Sequence, residues 1–209
     1  FSNTNLSGSN FTNAVLRGVN LTNATLTGVT LTGVDMSGAN FTGATLTNAT
    51  MTNASLSGAT MTGIVTGNIT NLVTAILPSG YYAKNGYIVG PYVSLASAVL
   101  TNQNLSNISL QGVNLNGASL SGATLTNTDL SGATFTNINV AGLNMASVTL
   151  TNIVTGGLTG GSTVTLPTNI FVAGGYIVGP NMRLISADLS GQSMISRNLT
   201  NANLTNANL

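Results

Sequence analysis

Residues 37–51 read Ser37-Gly-Ala-Asn-Phe-Thr-Gly-Ala-Thr-Leu-Thr-Asn-Ala-Thr-Met51, and this stretch decides the fold. Within it Phe41, Leu46 and Met51 are large and apolar at an interval of five residues, and an alanine stands two residues before each of them. A period of five matches neither the 3.6-residue turn of a helix nor the two-residue alternation of a strand. The stretch therefore predicts a chain that turns a corner every five residues and sends the same side chain inward each time.

The five-residue interval holds over three runs of the chain, in which every fifth residue, here called the central residue, is large and apolar. The runs cover residues 1–61, 95–150 and 184–209. In the first run the residue two places after each central residue is always Gly or Asn, the two types that best tolerate a positive φ. The residue directly after each central residue of that run is Thr or Ser, apart from Arg17, and we expect it to face water. Repetition of this kind predicts a solenoid.

The stretch quoted above and Thr200-Asn-Ala-Asn-Leu204 resemble the pentapeptide-repeat family, whose motif is Ala, then Asp or Asn, then Leu, followed by two variable residues. The resemblance covers most of the chain. It implies an all-β fold, a right-handed quadrilateral β-helix solenoid with four pentapeptides in each coil. Residues twenty apart, such as Leu6 and Leu26, would then stack in neighbouring coils.

The pattern breaks twice, and the two breaks resemble each other at an offset of 89 residues. Ile64-Val-Thr-Gly67 returns as Ile153-Val-Thr-Gly156, and Tyr87-Ile-Val-Gly-Pro91 returns as Tyr176-Ile-Val-Gly-Pro180. Inside each break, Asn85-Gly86 or Gly174-Gly175 separates short apolar runs, which is the signal of a hairpin. The sequence thus predicts two hairpin-containing inserts.

These observations divide the chain into five segments of one continuous solenoid, which we expect to be a window of a longer chain. Pentapeptide coils are predicted at 1–65, 95–154 and 184–209, and inserts at 66–94 and 155–183.

All the tyrosines and prolines lie in the inserts, and two interpretations of the tyrosines are open. Each insert folds against the solenoid with its tyrosines packed locally, or the hairpins project and contact a neighbouring subunit, because Tyr is enriched at interfaces. The candidate assembly contacts are Tyr81, Tyr82, Tyr87, Tyr92 and Tyr176.

Charged residues make up only 3% of the 209 residues, four Lys or Arg against three Asp, whereas ordinary domains have about 25%. Four scattered cations cannot follow a run of phosphates, so we expect no nucleic-acid partner. Without His, Cys or Glu, a catalytic triad would lack its base and zinc would lack its preferred ligands, so we expect no enzyme, catalytic residue, metal site or cofactor. No apolar stretch reaches 18 residues, so we expect no membrane span.

A net charge of +1 opposes self-association only weakly. We therefore expect a non-enzymatic structural or assembly protein that forms a rod, filament or tile of an extracellular layer or virus particle. Its partners would be copies of itself or other structural proteins, and its location extracellular or on the virion surface. Some members of the resembling family mimic DNA and bind topoisomerases, but that mimicry requires a strongly acidic surface.

The alternative function is binding of ice or a crystalline glycan through regular arrays of outward-facing threonines. Twenty-residue stacking would align Thr22 with Thr42 and Thr62, and Thr27 with Thr47. Outward threonine also favours strands and solubility without any ligand, so the arrays alone do not decide between the two functions.

Overall fold

The computed structural model describes all of residues 1–209 and divides them into two compact units, Phe1–Leu95 and Ala96–Leu209. The strands are short and pair only two at a time, parallel within the coils and antiparallel in the hairpins. The first unit contains β1 (Thr45–Thr47), β2 (Val65–Gly67), a 3₁₀ turn (Leu72–Thr74), β3 (Tyr82–Lys84) and β4 (Tyr87–Val89). The second contains β5 (Thr134–Thr136), β6 (Val154–Gly156), β7 (Phe171–Ala173) and β8 (Tyr176–Val178).

Successive coils are joined by parallel bridges between residues twenty apart. Asn5 pairs with Thr25, and Thr25 pairs in turn with Thr45. The amide of Leu6 donates to the carbonyl of Thr25 at 2.7 Å, as the parallel ladder of a β-helix requires. The prediction that residues twenty apart stack is therefore confirmed.

Most corners of the coil are four-residue turns closed by a backbone hydrogen bond. The amide of Ser9 donates to the carbonyl of Leu6 at 3.1 Å, and Gly8 within that turn has a φ of 69°. At the next corner Asn13 has a φ of 59°. A positive φ at the third turn residue is the requirement of a type II turn, which explains the restriction to Gly and Asn in the first run.

The interior of each coil is filled by two kinds of side chain, the central residues and the smaller residues two places before them. Phe41 and Leu46 are fully buried, and so are Ala39 and Ala44 beside them. Only three polar side chains are buried in the whole protein, Thr66, Thr128 and Thr155. Backbone hydrogen bonds run between coils, so this core can be almost wholly apolar without leaving main-chain groups unpaired.

The coil continues for part of each insert before the chain leaves it. Ile76 still bridges to Ser55, and in the second unit Thr165 bridges to Asn144. The chain rejoins the coil at Ser94, which pairs with Val65. The hairpin of the first insert thus lies in the residues between Ile76 and Ser94.

Both predicted hairpins are present. β3 pairs with β4 in the register Ala83 to Ile88, and β7 pairs with β8 in the register Val172 to Ile177. Each turn has two consecutive positive φ values, 44° and 75° at Asn85-Gly86 and 54° and 80° at Gly174-Gly175, as a type I′ turn requires.

The fold class is therefore the predicted one, an all-β, right-handed quadrilateral β-helix with two hairpin-containing inserts. Its only helical element is the 3₁₀ turn. None of its helical segments has the length and apolarity that a membrane crossing requires.

Candidate functional site

The outward polar side chains of the coils are largely engaged with their own backbone. Asn10 Oδ1 accepts a hydrogen bond from the amide of Thr12 at 2.9 Å and another from its hydroxyl at 2.6 Å. Asn40 and Thr42 repeat this arrangement at 2.9 and 2.7 Å. A side-chain oxygen that accepts from the backbone two residues later stabilises the corner, so the Asn of the repeat serves the turn.

The chain has three aspartates, Asp35 in the first unit and Asp129 and Asp188 in the second. Asp35 accepts from the amide and hydroxyl of Ser37 at 3.1 and 2.6 Å and forms an ion pair with Arg17. The hydroxyl bond from Ser37, followed by the Arg17 guanidinium, lowers the pKa of Asp35 to about 2. Hydrogen bonds from Ser190 likewise hold the pKa of the Asp188 carboxyl below its usual value. No group of three or more acidic, His or Cys side chains comes together in a way that could hold a metal ion.

In each insert, the hydroxyl of one buried threonine of the coil forms a hydrogen bond with the backbone of the hairpin. Thr66 is only 5% exposed, and its Oγ1 accepts a hydrogen bond from the amide of Ile88 at 3.1 Å. Thr155 Oγ1 does the same for the amide of Ile177, also at 3.1 Å. These hydroxyls connect β2 to β4 and β6 to β8, so each pairs a hairpin amide that would otherwise be buried without a partner.

Three of the five candidate tyrosines pack locally. Tyr87 lies against Gly67 of the coil, and Tyr176 lies against Gly156 in the same way. Tyr81 covers Gly90 and donates its hydroxyl to the carbonyl of Pro91 at 3.3 Å, and burial raises its pKa. These contacts correspond to the interpretation in which the inserts fold against the solenoid.

The other two candidates, Tyr82 and Tyr92, remain 43% and 47% exposed. Two further large side chains of the first insert are exposed as well, Val73 at 86% and Ile76 at 60%. We call Val73, Ile76, Tyr82 and Tyr92 the exposed set of the first insert.

The second insert differs at every position of this set. The residues 89 places further along are Ser162, Thr165, Phe171 and Asn181. The guanidinium carbon of Arg197 lies 4.2 Å from the centre of the Phe171 ring, so that aromatic side chain is covered by a cation–π contact. The two inserts share one backbone and differ in surface chemistry.

Sequence reasoning named the tyrosines but missed Val73 and Ile76. The signal that could have found them is the internal alignment, since each apolar residue stands where the second insert has a hydroxyl residue, Ser162 or Thr165. The buried threonines were also missed as anchors, although Thr66 and Thr155 occupy matching places in the two inserts.

The first unit also carries threonine rows on two adjacent faces of its coil. The hydroxyls of Thr27 and Thr47 lie 3.2 Å apart, and Thr70 donates to Thr50 at 3.1 Å. The rows contain Thr22, Thr42 and Thr62; Thr25 and Thr45; Thr27 and Thr47; Thr30, Thr50 and Thr70; and Thr32 and Thr52. No charged residue lies in these rows.

The family model for pentapeptide repeats matches the chain in eight copies, over residues 1–33, 26–63, 94–132 and 183–209. No curated protein sequence matches it.

Several solved structures are similar to this chain. A pentapeptide repeat protein from the thylakoid lumen of Arabidopsis thaliana shares 22% identity over 68% of each chain, with a TM-score of 0.27. Rfr23 from the cyanobacterium Cyanothece 51142 shares 18% identity over 74% of this chain and 90% of its own, with a TM-score of 0.26. HetL from Nostoc sp. strain PCC 7120, described as involved in heterocyst differentiation regulation, shares 21% identity over 100% of this chain and 84% of its own, with a TM-score of 0.20. At these scores the likeness carries no inference about function.

The family model spans more than half of the chain, and in the segments it matches the coil, the buried central residues and the positive-φ corners repeat. This chain therefore belongs to the pentapeptide-repeat family.

Proposed function

We propose that this chain is a non-enzymatic structural protein that assembles with copies of itself or with other structural proteins. The assembly would be a rod, filament or tile of an extracellular layer or a virus particle. The observation that carries the proposal is the exposed set of the first insert, Val73, Ile76, Tyr82 and Tyr92, on a chain whose other outward side chains are mainly small and polar.

The chemistry of these residues favours protein contact. Covering apolar surface contributes about 25 cal/mol for each Å² removed from water, and tyrosine adds a hydrogen-bonding hydroxyl to a large ring. A net charge of +1 provides little repulsion between copies. Comparison with the second insert supports assigning the assembly contact to the first insert. The residues of the second insert at the same positions are polar, apart from Phe171, which Arg197 covers.

The test is self-association measured by sedimentation velocity over a range of concentrations, with electron microscopy of the species formed. The variant Val73→Ser/Ile76→Thr/Tyr92→Asn gives the first insert the residues of the second at three positions. We expect the parent chain to form oligomers or filaments and this variant to shift towards monomer with its fold intact.

Val15→Thr is the matched control, because Val15 is 71% exposed but lies outside the inserts. It should leave self-association unchanged. A parent chain that stays a monodisperse monomer at high concentration, with no binding to other structural proteins of its source, contradicts the proposed function.

A second candidate function is favoured by the threonine rows, whose neighbouring hydroxyls follow the repeat of the coil on two adjacent faces. The regular, uncharged array of hydroxyls suits ice or a crystalline glycan. Thermal hysteresis near freezing and co-sedimentation with microcrystalline cellulose test the two ligands. Thr30→Tyr would place a ring within the rows and abolish either activity, whereas Ser57→Tyr, outside them, would not. Absence of both activities in the parent chain removes this candidate.

A further inference from the structure

The ladder between coils of the second unit is interrupted at one place. Between coils 95–114 and 115–134 it is intact, and the amides of Leu100 and Leu105 donate to the carbonyls of Ser119 and Thr124, each at 2.9 Å. One coil further along, the equivalent amides of Leu120, Gly122 and Leu125 make no such bonds to the carbonyls of Asn139, Ala141 and Asn144. The bridges of Ser119 to Asn139 and of Thr124 to Asn144 are missing too.

The interruption is confined to two successive faces of one coil pair, and we call it the seam. On the other two faces of the same pair the ladder holds, with Leu130 donating to Thr149 at 2.9 Å and Val154 donating to Ala133 at 2.9 Å. The following coil is also paired on the seam faces, since Val140 donates to Thr159 at 2.9 Å. The seam is therefore a local separation between two coils that are paired on their other faces.

A cavity of about 360 Å³ occupies part of the seam. Its lining includes Ala118, Ser119 and Leu120 of one coil and Asn139 and Ala141 of the next. Ala123, whose position in the repeat points inward, is half-buried rather than buried. Water can therefore reach main-chain groups that the ladder shields in the other coils, and it can pair with them.

The seam coincides with a difference in volume between the inner side chains of the two coils. Both seam faces have this difference, and so does one of the paired faces, where Ile153 lies opposite Ala133. In coil 115–134 the residues two places before the central ones at the seam are Ala118 and Ala123, as in most of the first unit. In coil 135–154 the same positions hold Ile138 and Leu143, which are fully buried. A core is packed close to the density of an organic crystal, so extra methylene groups inside one coil push its walls outward.

The range of the family match also distinguishes coil 135–154 from coil 115–134. It ends at residue 132 and resumes at 183, so coil 135–154 lies outside it. That coil replaces the small residue of the motif at every inner position, with Ile138, Leu143, Val148 and Ile153. A wide coil thus lies next to a narrow one.

We propose that the seam is a flexible joint of the second unit. Coil 135–154 separates from coil 115–134 on two faces, while the paired faces act as the hinge. Opening and closing there would let the unit bend without loss of the remaining ladder. This joint does not depend on the proposed assembly function, because it follows from the packing of the unit alone.

Amide hydrogen exchange, resolved by residue in the intact chain, tests the joint. The seam amides are Leu120, Gly122 and Leu125, and the reference amides twenty residues earlier are Leu100, Asn102 and Leu105. Because locally open amides exchange with a far smaller opening free energy than core amides, we expect the seam amides to exchange at least about 100-fold faster. Equal exchange of the two sets overturns the proposal.

Two variants test the cause. Ile138→Ala/Leu143→Ala narrows the wide coil, and Ala123→Val widens the narrow one. Val113, fully buried on another face, shows that an inner position of this unit can hold a valine. Each should slow exchange of the seam amides towards that of the reference set. The control is Val148→Ala/Ile153→Ala, which changes inner residues on the paired faces. It should lower the free energy of unfolding but should not slow exchange of the seam amides. If seam exchange is unchanged in a folded Ala123→Val chain, the volume mismatch is not the cause and the proposal fails.

Discussion

The ring of Tyr87 lies against the backbone of Gly67, so that a methyl group on Gly67 would stand 3.2 Å from Tyr87 Cε1. Tyr176 and Gly156 repeat this relationship at 3.1 Å. Since Gly67 ends β2 of the coil and Tyr87 begins β4 of the hairpin, this contact helps to fix how the hairpin lies on the coil.

Gly67→Val should therefore displace the Tyr87 ring and loosen the first hairpin. Overpacking of a close contact costs about 1–3 kcal/mol in the free energy of unfolding. Chemical denaturation measures the loss, and amide exchange at Ile88 shows whether the hairpin is the part that loosens.

The double variant Gly67→Val/Tyr87→Ala is the control for this contact. Removal of the ring makes room for the valine, so the two substitutions together should cost less than the sum of their separate effects. Additive costs would show that Gly67 is required for another reason.

Thr66→Val should destabilise the first hairpin by leaving the amide of Ile88 buried and without a partner. That loss is about 1–3 kcal/mol for a buried donor. Thr66→Ser keeps the hydroxyl that accepts the 3.1 Å bond and should cost clearly less. Equal destabilisation by valine and serine, measured by chemical denaturation, would place the role of Thr66 in its methyl group instead.

The coil could be predicted from the sequence because the same class of residue recurs at each position of the five-residue repeat. A large side chain at every fifth residue is buried if the chain turns a corner every five residues, so the core could be predicted. Gly or Asn two places later adopts a φ that few other residues adopt readily, so the corners could be predicted as well. The hairpins followed in the same way from Asn85-Gly86 and Gly174-Gly175, whose positive φ values match the turn they form.

The docking of the inserts and the seam could not be predicted from these patterns. The contact of Thr66 with Ile88 joins residues that no period relates, and it depends on where the hairpin lies in space. The seam coincides with a difference in volume between neighbouring coils, at Ala123 against Leu143, while every central residue there still obeys the repeat. Periodicity predicts which side chains face inward, but it contains no comparison of the volumes of side chains in neighbouring coils.

Tyr92→Asn should stabilise the first unit. Tyr92 has a φ of 57°, a left-handed conformation that costs a residue with a Cβ roughly 1–2 kcal/mol. Asn181, at the matching place in the second insert, has a φ of 58° and is a type that tolerates it. The free energy of unfolding should rise by about 0.5–1 kcal/mol, part of the strain being retained by asparagine.

The reverse substitution, Asn181→Tyr, is the matched control and should lower the stability of the second unit. If Tyr92→Asn lowers stability instead, the tyrosine ring must make contacts in the folded chain that outweigh the backbone strain. Denaturant titration of both variants distinguishes these results.

Asp35 should make the folded first unit sensitive to acid below about pH 4. Its pKa falls from 3.8 to about 2 on folding, first through the Ser37 hydroxyl and then through Arg17. A carboxylate with a lowered folded-state pKa contributes stability above its unfolded pKa and loses that contribution as pH falls through the folded value. The contribution should therefore be complete above about pH 4 and decline between about pH 4 and pH 2.

NMR titration of the Asp35 carboxyl carbon measures this pKa directly. Ser37→Ala removes the leading cause and should move the midpoint upward towards 3.8, whereas high salt, which screens Arg17, should move it less. Asp35→Asn should abolish the part of the acid-induced loss of thermal stability that Asp35 causes. A midpoint near 3.8 in the unaltered chain would contradict the hydrogen-bonded corner at Asp35, and the acid sensitivity would then have to come from elsewhere.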